Sequence, residues 1–249
     1  MGKRERLDKL LVERGLVASR EEGLSRILAG EVLVDDQPLA KAGSLVDSNA
    51  LIRMKGKSLP YVSRGGVKLE KALEEFSIEV SDKVVLDVGA STGGFSDCLL
   101  AHGARRVYAV DVGYGQLDWK LRNDPRVVVL EKRNIRYLEG EELSDPPQIA
   151  TIDVSFISLR LVLPKVQKLL TPYGEIVALI KPQFEVGKGK VGKGGVVRSG
   201  EEHRRVIEEI KEAAVSLKLE VRGVTESPLL GPKGNREFFI YLIKRDGAP

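Results

Sequence analysis

The sequence has one cysteine, Cys98, and two histidines, His102 and His203, in 249 residues. A single thiol forms no internal disulfide and no cysteine cluster for a metal, and histidines so far apart in the chain predict no zinc site. No metal is therefore assigned. Aromatic residues make up only 5% of the chain, so the core must be built mostly from aliphatic side chains. Nowhere do about 18 apolar residues follow one another, the length a membrane-spanning helix needs. The opening MGKRERLDKLL also lacks the apolar centre of a secretory signal. These absences favour a cytoplasmic protein with no membrane partner.

What is present is 42% hydrophobic and 31% charged residues, with a formal net charge of +4. A chain of this length holds one large domain, or a large one and a small one. The mild positive excess permits a polyanionic partner without requiring it. Residues 1–54 read as a small unit. Leu7, Leu10 and Leu11 recur at helical spacing, and Gly15 can end that helix. Ser19 and Glu22 have the spacing of a capping box. They precede a second helix through Leu24, Ile27 and Leu28, which Gly30 can stop. Val32–Val34 and a run near Ala50–Ile52 predict two short strands, with a turn at Asp35-Asp36-Gln37-Pro38. Residues 55–65, KGKSLPYVSRG, read as a linker. The domains are accordingly drawn as 1–60 and 61–249.

Past the linker a helix is predicted over 68–76. Apolar strands at 84–86, 107–110, 127–130, 149–152 and 175–180 follow, with helices at 95–101 and 201–217. Ser199 and Glu202 form a second capping pair at the start of the later helix. Two last strands are predicted near 219–224 and 237–243. Such alternation implies an α/β fold with a parallel-rich sheet covered on both faces.

The segment LDVGASTGGF, from Leu86 to Phe95, ends a buried strand in an acid and opens a helix through a glycine-rich turn. Ligands of open α/β sheets bind outside the carboxyl ends of the strands, and glycine allows close backbone approach. Asp111 ends the next strand 22 residues beyond Gly89, where a carboxylate can accept hydrogen bonds from both ribose hydroxyls. The glycines follow GxxxGG rather than the GxGxxG of dinucleotide sites, and Asp87 precedes them. A carboxylate there suits an ammonium or a water better than a pyrophosphate, so S-adenosyl-L-methionine fits better than NAD. The alternative is that Gly93 and Gly94 serve only tight packing of strand on helix.

Four ionisable residues stand where their neighbours make no structural demand for charge: Lys68, Asp153, Lys181 and Glu237. Asp153 and Lys181 end apolar strands and should face the same rim as the Asp87 loop. A ribose hydroxyl is a weak acid and needs a base to attack a methyl group. A lysine serves only as the neutral amine, a form favoured by burial and by a neighbouring cation. Lys68 is a candidate for that cation beside Lys181, with Asp153 and Glu237 orienting the ammonium groups. The remaining task is alignment of oxygen, carbon and sulfur. Taken singly, each of the four could also be a rim salt bridge.

Candidate RNA contacts are Arg4, Arg6, Arg14, Arg20 and Arg26 on the first helices, and Arg64. Residues 53–71 hold six basic residues (Arg53, Lys55, Lys57, Arg64, Lys68, Lys71) against one acid, Glu70. They read as a strip that could follow a phosphate backbone. Residues 187–198, GKGKVGKGGVVR, read as a mobile basic loop. His203, Cys98 and Trp119 are given no catalytic role.

Six segments carry a family resemblance: RLDKLLVERGLVASREEGLSRILAGEVLVD, YVSRGGVKL, LDVGASTGGFSDCLL, DVSFISL, KPQFE and GNREFF. On these the chain resembles the TlyA (hemolysin A-like) ribosomal RNA 2′-O-methyltransferases over nearly its whole length. The resemblance implies a small N-terminal α+β S4 RNA-binding domain ahead of an FtsJ-like, Rossmann-like methyltransferase domain that uses S-adenosyl-L-methionine. It implies that Lys68, Asp153, Lys181 and Glu237 form the catalytic tetrad. Asp87, Gly89, Ser91, Gly93 and Phe95 would line the cofactor pocket, Asp111 would bind the ribose, and Asn134 would contact adenine. The implied target is a cytidine 2′-hydroxyl of 16S or 23S rRNA, so the partners are rRNA or ribosomal subunits. A non-catalytic ribosome-binding factor and a membrane-active hemolysin are the alternatives. No amphipathic cationic segment with a wide apolar face supports the last of these.

Overall fold

The computed structural model describes residues 4–245 apart from 36, 40, 42, 49, 51, 56–59, 188–190 and 193. The predicted strand residue Leu51, the turn residue Asp36 and the cations Lys57, Lys188, Lys190 and Lys193 lie outside the described residues. The chain divides into two compact units, residues 1–58 and 59–249.

The first unit runs β1 (Arg4–Arg6), α1 (Leu7–Glu13), α2 (Arg20–Leu28), β2 (Val32–Val34), β3 (Gln37–Pro38), β4 (Leu45–Asp47) and β5 (Ile52–Met54). Gly15 and Gly30 both take positive φ, at 65° and 70°, where a left-handed stop is needed. Ser19 caps α2 by accepting from the Glu22 amide at 3.1 Å. The Glu22 carboxylate reaches back one residue further than a capping box requires, to the Ala18 amide. β2 pairs antiparallel with β3 and β5, and β1 pairs antiparallel with β4. Leu7, Leu10, Leu11, Ile27, Val32 and Ile52 form its aliphatic core.

The second unit begins with α3 (Arg64–Phe76), four residues earlier than predicted, because Ser63 caps it by accepting from the Gly65 amide. The end of the presumed linker is thus a helix start, and Tyr61 is already buried. Then come β6 (Val84–Val88), α4 (Gly94–Ala101), β7 (Arg106–Asp111), α5 (Trp119–Arg122), β8 (Val127–Glu131), β9 (Ile149–Ile152), α6 (Leu159–Leu169), β10 (Glu175–Ile180), α7 (Pro182–Glu185), α8 (Gly200–Ser216), β11 (Leu219–Glu226) and β12 (Phe238–Lys244). The seven strands lie in the order β11-β12-β10-β9-β6-β7-β8. β6 to β10 are parallel with their neighbours among themselves, and β12 runs antiparallel to both β10 and β11.

Strand residues alternate between two faces. Leu86, Val110, Ile152 and Ile180 pack with α6 and α8 on one side. Val85, Val107, Ile149 and Leu179 pack with α3 and α4 on the other. The chain moves outward from β6 to β7 and β8, then returns to the far side of β6 with β9. That reversal opens a crevice beyond the carboxyl ends of β6 and β9, where open sheets bind their ligands. Among the described residues no helix is long and apolar enough to cross a membrane, and no group of three His, Cys, Asp or Glu side chains is placed to hold a metal.

Candidate active site

Two cavities open at that crevice and share Gly89, Ser91 and Asp153 in their walls. The first, of 270 Å³, is lined by Lys68, Asp153, Lys181 and Glu237, together with Arg64, Gly65, Gly94, Phe95 and Gly231. The second, of 510 Å³, is lined by Asp111, Asn134, Arg133 and Arg136 and by the apolar side chains Val112, Ile135, Val154 and Phe156.

The four predicted ionisable residues converge on the first cavity from four elements. Lys68 projects from the second turn of α3, and its Nζ lies 2.7 Å from Oε2 of Glu237, the residue before β12. Lys181 follows β10, and its Nζ lies 2.5 Å from Asp153 Oδ1, which follows β9. Lys181 also donates to Ser155 Oγ at 3.1 Å. Both lysines and Glu237 are buried, whereas the Asp153 side chain keeps a quarter of its surface exposed. Each ammonium thus has its own carboxylate, and the four charges cancel. Buried charges persist only when paired in this way.

Gly89 takes φ 87°, and a Cβ there would sit 2.4 Å from the Asp153 carbonyl oxygen. This glycine lets the ends of β6 and β9 meet. Gly93 and Gly94 do different work. A Cβ at Gly93 would strike Leu121 and Leu117, and one at Gly94 would come within 2.2 Å of Ser63 Oγ. Close packing accounts for both glycines, against Leu117 and Leu121 for Gly93 and against the start of α3 for Gly94, rather than packing of strand on helix; Gly94 also lines the first cavity, and Gly93 lines neither. Ser91 takes φ 49°, and its amide donates to Asp111 Oδ2 at 2.8 Å. Asp111 Oδ1 accepts from the Gly113 amide at 2.7 Å. One backbone donor on each oxygen fixes the carboxylate at the wall of the second cavity and leaves each a further lone pair.

Asp87 differs from its neighbours. It lines neither cavity and has no exposed surface. It points into the α4 face, where Ser96 Oγ and Thr151 Oγ1 donate to it at 2.6 and 3.1 Å. Burial pushes its carboxyl up to about 7 against those two hydrogen bonds, which lower it. Phe95 lines the first cavity with little exposed surface and packs on Phe239. Asn134 lines the second cavity, but its Oδ1 accepts from the Arg136 amide and so caps the short turn at Ile135–Tyr137.

Sequence reasoning missed Ser155, which accepts from Lys181, Gln183, which donates to Glu237, and Phe156, whose side chain is 90% exposed at the mouth of the second cavity. Ser155 and Phe156 follow Asp153 directly, so their nearness to it was a usable signal. Gln183 had none.

The cations separate into groups. Arg6 and Arg20 both bind the buried Asp8 carboxylate while half of each side chain stays exposed. Together they hold that carboxyl down at about 2. Arg14 donates to the Ser48 and Ala50 carbonyls, and Arg26 pairs with Glu22 and Glu31. Arg4 and Arg64 are exposed, and Arg64 borders the first cavity. Within α3 the basic residues of the predicted strip face different ways. Helical periodicity turns Lys68 inward to Glu237 and sets Lys71 beside Glu74 and Glu75. Part of the basic loop is anchored rather than mobile. Val196 and Val197 are buried, Asn235 accepts from the Val197 amide, and His203 Nε2 donates to the Val197 carbonyl.

Residues 61–244 match the FtsJ-like methyltransferase family, and residues 5–52 match the S4 domain. The chain is 49% identical over 241 residues to YqxC of Bacillus subtilis (strain 168), covering 96% of this chain and 86% of that protein. It is 47% identical over 243 residues to the 16S/23S rRNA (cytidine-2'-O)-methyltransferase TlyA of Mycobacterium tuberculosis (strain ATCC 25618 / H37Rv), covering 97% and 91% of the two. A solved structure from Streptococcus thermophilus, of a protein called a hemolysin, aligns with a TM-score of 0.77 at 44% identity and covers 99% of this chain and 90% of that one.

Proposed function

Because the chain belongs to the FtsJ-like methyltransferase family and carries an S4 domain ahead of it, we propose that it methylates a ribose 2′-hydroxyl of rRNA from S-adenosyl-L-methionine. On this reading residues 1–60 bind RNA and residues 61–249 carry out the transfer. The observation that carries it is the convergence of two lysine–carboxylate pairs on one cavity at the carboxyl ends of β6 and β9. A protein that only binds RNA gains nothing from burying two lysines.

The second cavity suits a nucleoside. Asp111 is fixed by two backbone amides with lone pairs to spare for a ribose, and Val112, Ile135 and Val154 supply apolar walls for a base. Gly89 and Ser91, shared by both cavities, suit the remainder of S-adenosyl-L-methionine. When bound, that cofactor supplies a methyl group on a positively charged sulfur. Lys181, paired with Asp153 as an ammonium, first gives a proton to solvent; its neutral amine then takes the proton of the attacking hydroxyl, and Asp153 holds the ammonium that re-forms. Glu237 holds the Lys68 ammonium in place in the same cavity. General base catalysis of this kind contributes about 10²–10⁴-fold. The choice of cytidine in 16S or 23S rRNA follows the relative that bears that name.

Lys181→Ala tests the assignment. Transfer of tritium from labelled cofactor into rRNA should fall by about 10²-fold or more, with cofactor affinity within twofold of the parent. Equal incorporation by the variant would remove Lys181 as the base.

A further inference from the structure

The segment KPQFE, Lys181 to Glu185, reaches both lysine–carboxylate pairs of the first cavity. Lys181, in the wall of the first cavity, pairs with Asp153 and donates to Ser155, which lines the second. Phe184 packs against Phe156, with ring centroids 4.9 Å apart. Glu185 accepts from Ser158 Oγ and from the Leu159 amide at the start of α6. Gln183 reaches the other lysine–carboxylate pair and donates Nε2 to Glu237 Oε1 at 3.1 Å.

Glu237 is the most enclosed of the four charged residues, with 1% of its surface exposed. Its Oε2 is taken by Lys68 and its Oε1 by Gln183. Gly231 closes a third side, since a Cβ there would come within 2.1 Å of Oε1. The last torsion of a glutamate is soft, so the plane of its carboxylate is set by these neighbours. Gln183 itself gains little stability from its place. Its Oε1 is buried and makes no hydrogen bond among the described residues. A buried acceptor left unmatched is a cost that an apolar side chain of the same size avoids. Folds tolerate such a cost where function requires the group.

We propose that Gln183 is a positioning residue for methyl transfer. It fixes the Glu237 carboxylate, Glu237 fixes the Lys68 ammonium, and Lys68 is thereby held in register with Lys181, two residues from Gln183 in the chain. The inference rests on the methyltransferase reading above. Without the amide donor the carboxylate turns toward Lys68 and draws the ammonium with it. Displacements on this scale slow aligned reactions by about tenfold to a hundredfold.

The test uses the full-length chain, tritiated S-adenosyl-L-methionine, and 16S and 23S rRNA offered both naked and as ribosomal subunits. Gln183→Met keeps the volume and removes the donor. Its kcat should fall at least tenfold, while KM for RNA and cofactor affinity stay within twofold and Tm is unchanged or higher. In a double-mutant cycle with Glu237→Gln, the second substitution should add little to the loss. Three outcomes overturn the inference: a kcat for Gln183→Met within twofold of the parent, a loss of activity that tracks a fall in Tm or cofactor affinity, or losses that multiply in the cycle. A parent protein that methylates none of the RNAs overturns the methyltransferase reading as well.

Discussion

Asp87 shows how one buried carboxyl links stability to pH. With no exposed surface its charged form is disfavoured, and its carboxyl is pushed up to about 7. An unfolded aspartate titrates near ~4. The folded state therefore holds a proton that the unfolded state has released. The stabilisation is complete below pH ~4, is lost as pH rises toward 7, and is flat above that. Asp87→Asn lacks this dependence. Relative to the variant, the parent should lose roughly 2–3 kcal/mol between pH 5 and pH 8, as read by denaturant unfolding at each pH. Parallel curves for the two proteins would show that Asp87 is not the group responsible. Gly89→Ala belongs at the same scale. Its φ of 87° and the 2.4 Å approach to the Asp153 carbonyl should together cost more than about 2 kcal/mol. Alanine at Gly187, which also has positive φ but no neighbour within 4 Å of its Cβ, should cost about 1 kcal/mol. The LDVGASTGG pattern made the loop legible but not the division of labour within it. Which glycine admits which neighbour depends on chain segments distant in sequence, Asp153 for Gly89 and Ser63 for Gly94.

The parallel strands were legible because each is a short apolar run that ends in a polar residue or a turn. α6 and α7 were not. α6 carries Pro164 within its span, which removes one backbone donor and masks the helical pattern. α7 has four residues and no periodicity to read. Its Glu185 nevertheless ties α7 to the start of α6. The carboxylate accepts 2.5 and 2.8 Å bonds from Ser158 Oγ and the Leu159 amide, although burial raises its proton affinity. Glu185→Ala leaves both donors without a partner and opens a void. It should destabilise the protein by about 2–3 kcal/mol, measured by denaturant unfolding at neutral pH. Glu185→Gln retains an acceptor and should recover part of the loss. An alanine variant as stable as the parent would mean that the start of α6 needs no anchor.

Across the whole chain, net charge is a weaker guide to RNA binding than the partner of each cation. The sequence groups Arg4, Arg6, Arg14, Arg20, Arg26 and Arg64 by sign, and the structure separates them by occupation. Arg14 is used on backbone carbonyls, and Arg26 on two glutamates. Arg6 and Arg20 neutralise the buried Asp8, so removing either one leaves that carboxylate short of a partner. Arg4 and Arg64 are exposed in the two units. Each phosphate neutralised adds about 0.9 to the slope of log affinity against log salt. The double substitution Arg4→Gln and Arg64→Gln should therefore lower that slope for rRNA by about 2 and leave Tm unchanged. Arg20→Gln should instead lower Tm, because it removes a partner of the buried Asp8. Filter binding from 50 to 300 mM salt, with unfolding measured in parallel, separates the two classes. If the salt slope were the same for the parent and the Arg4/Arg64 variant, those two arginines would not be phosphate contacts.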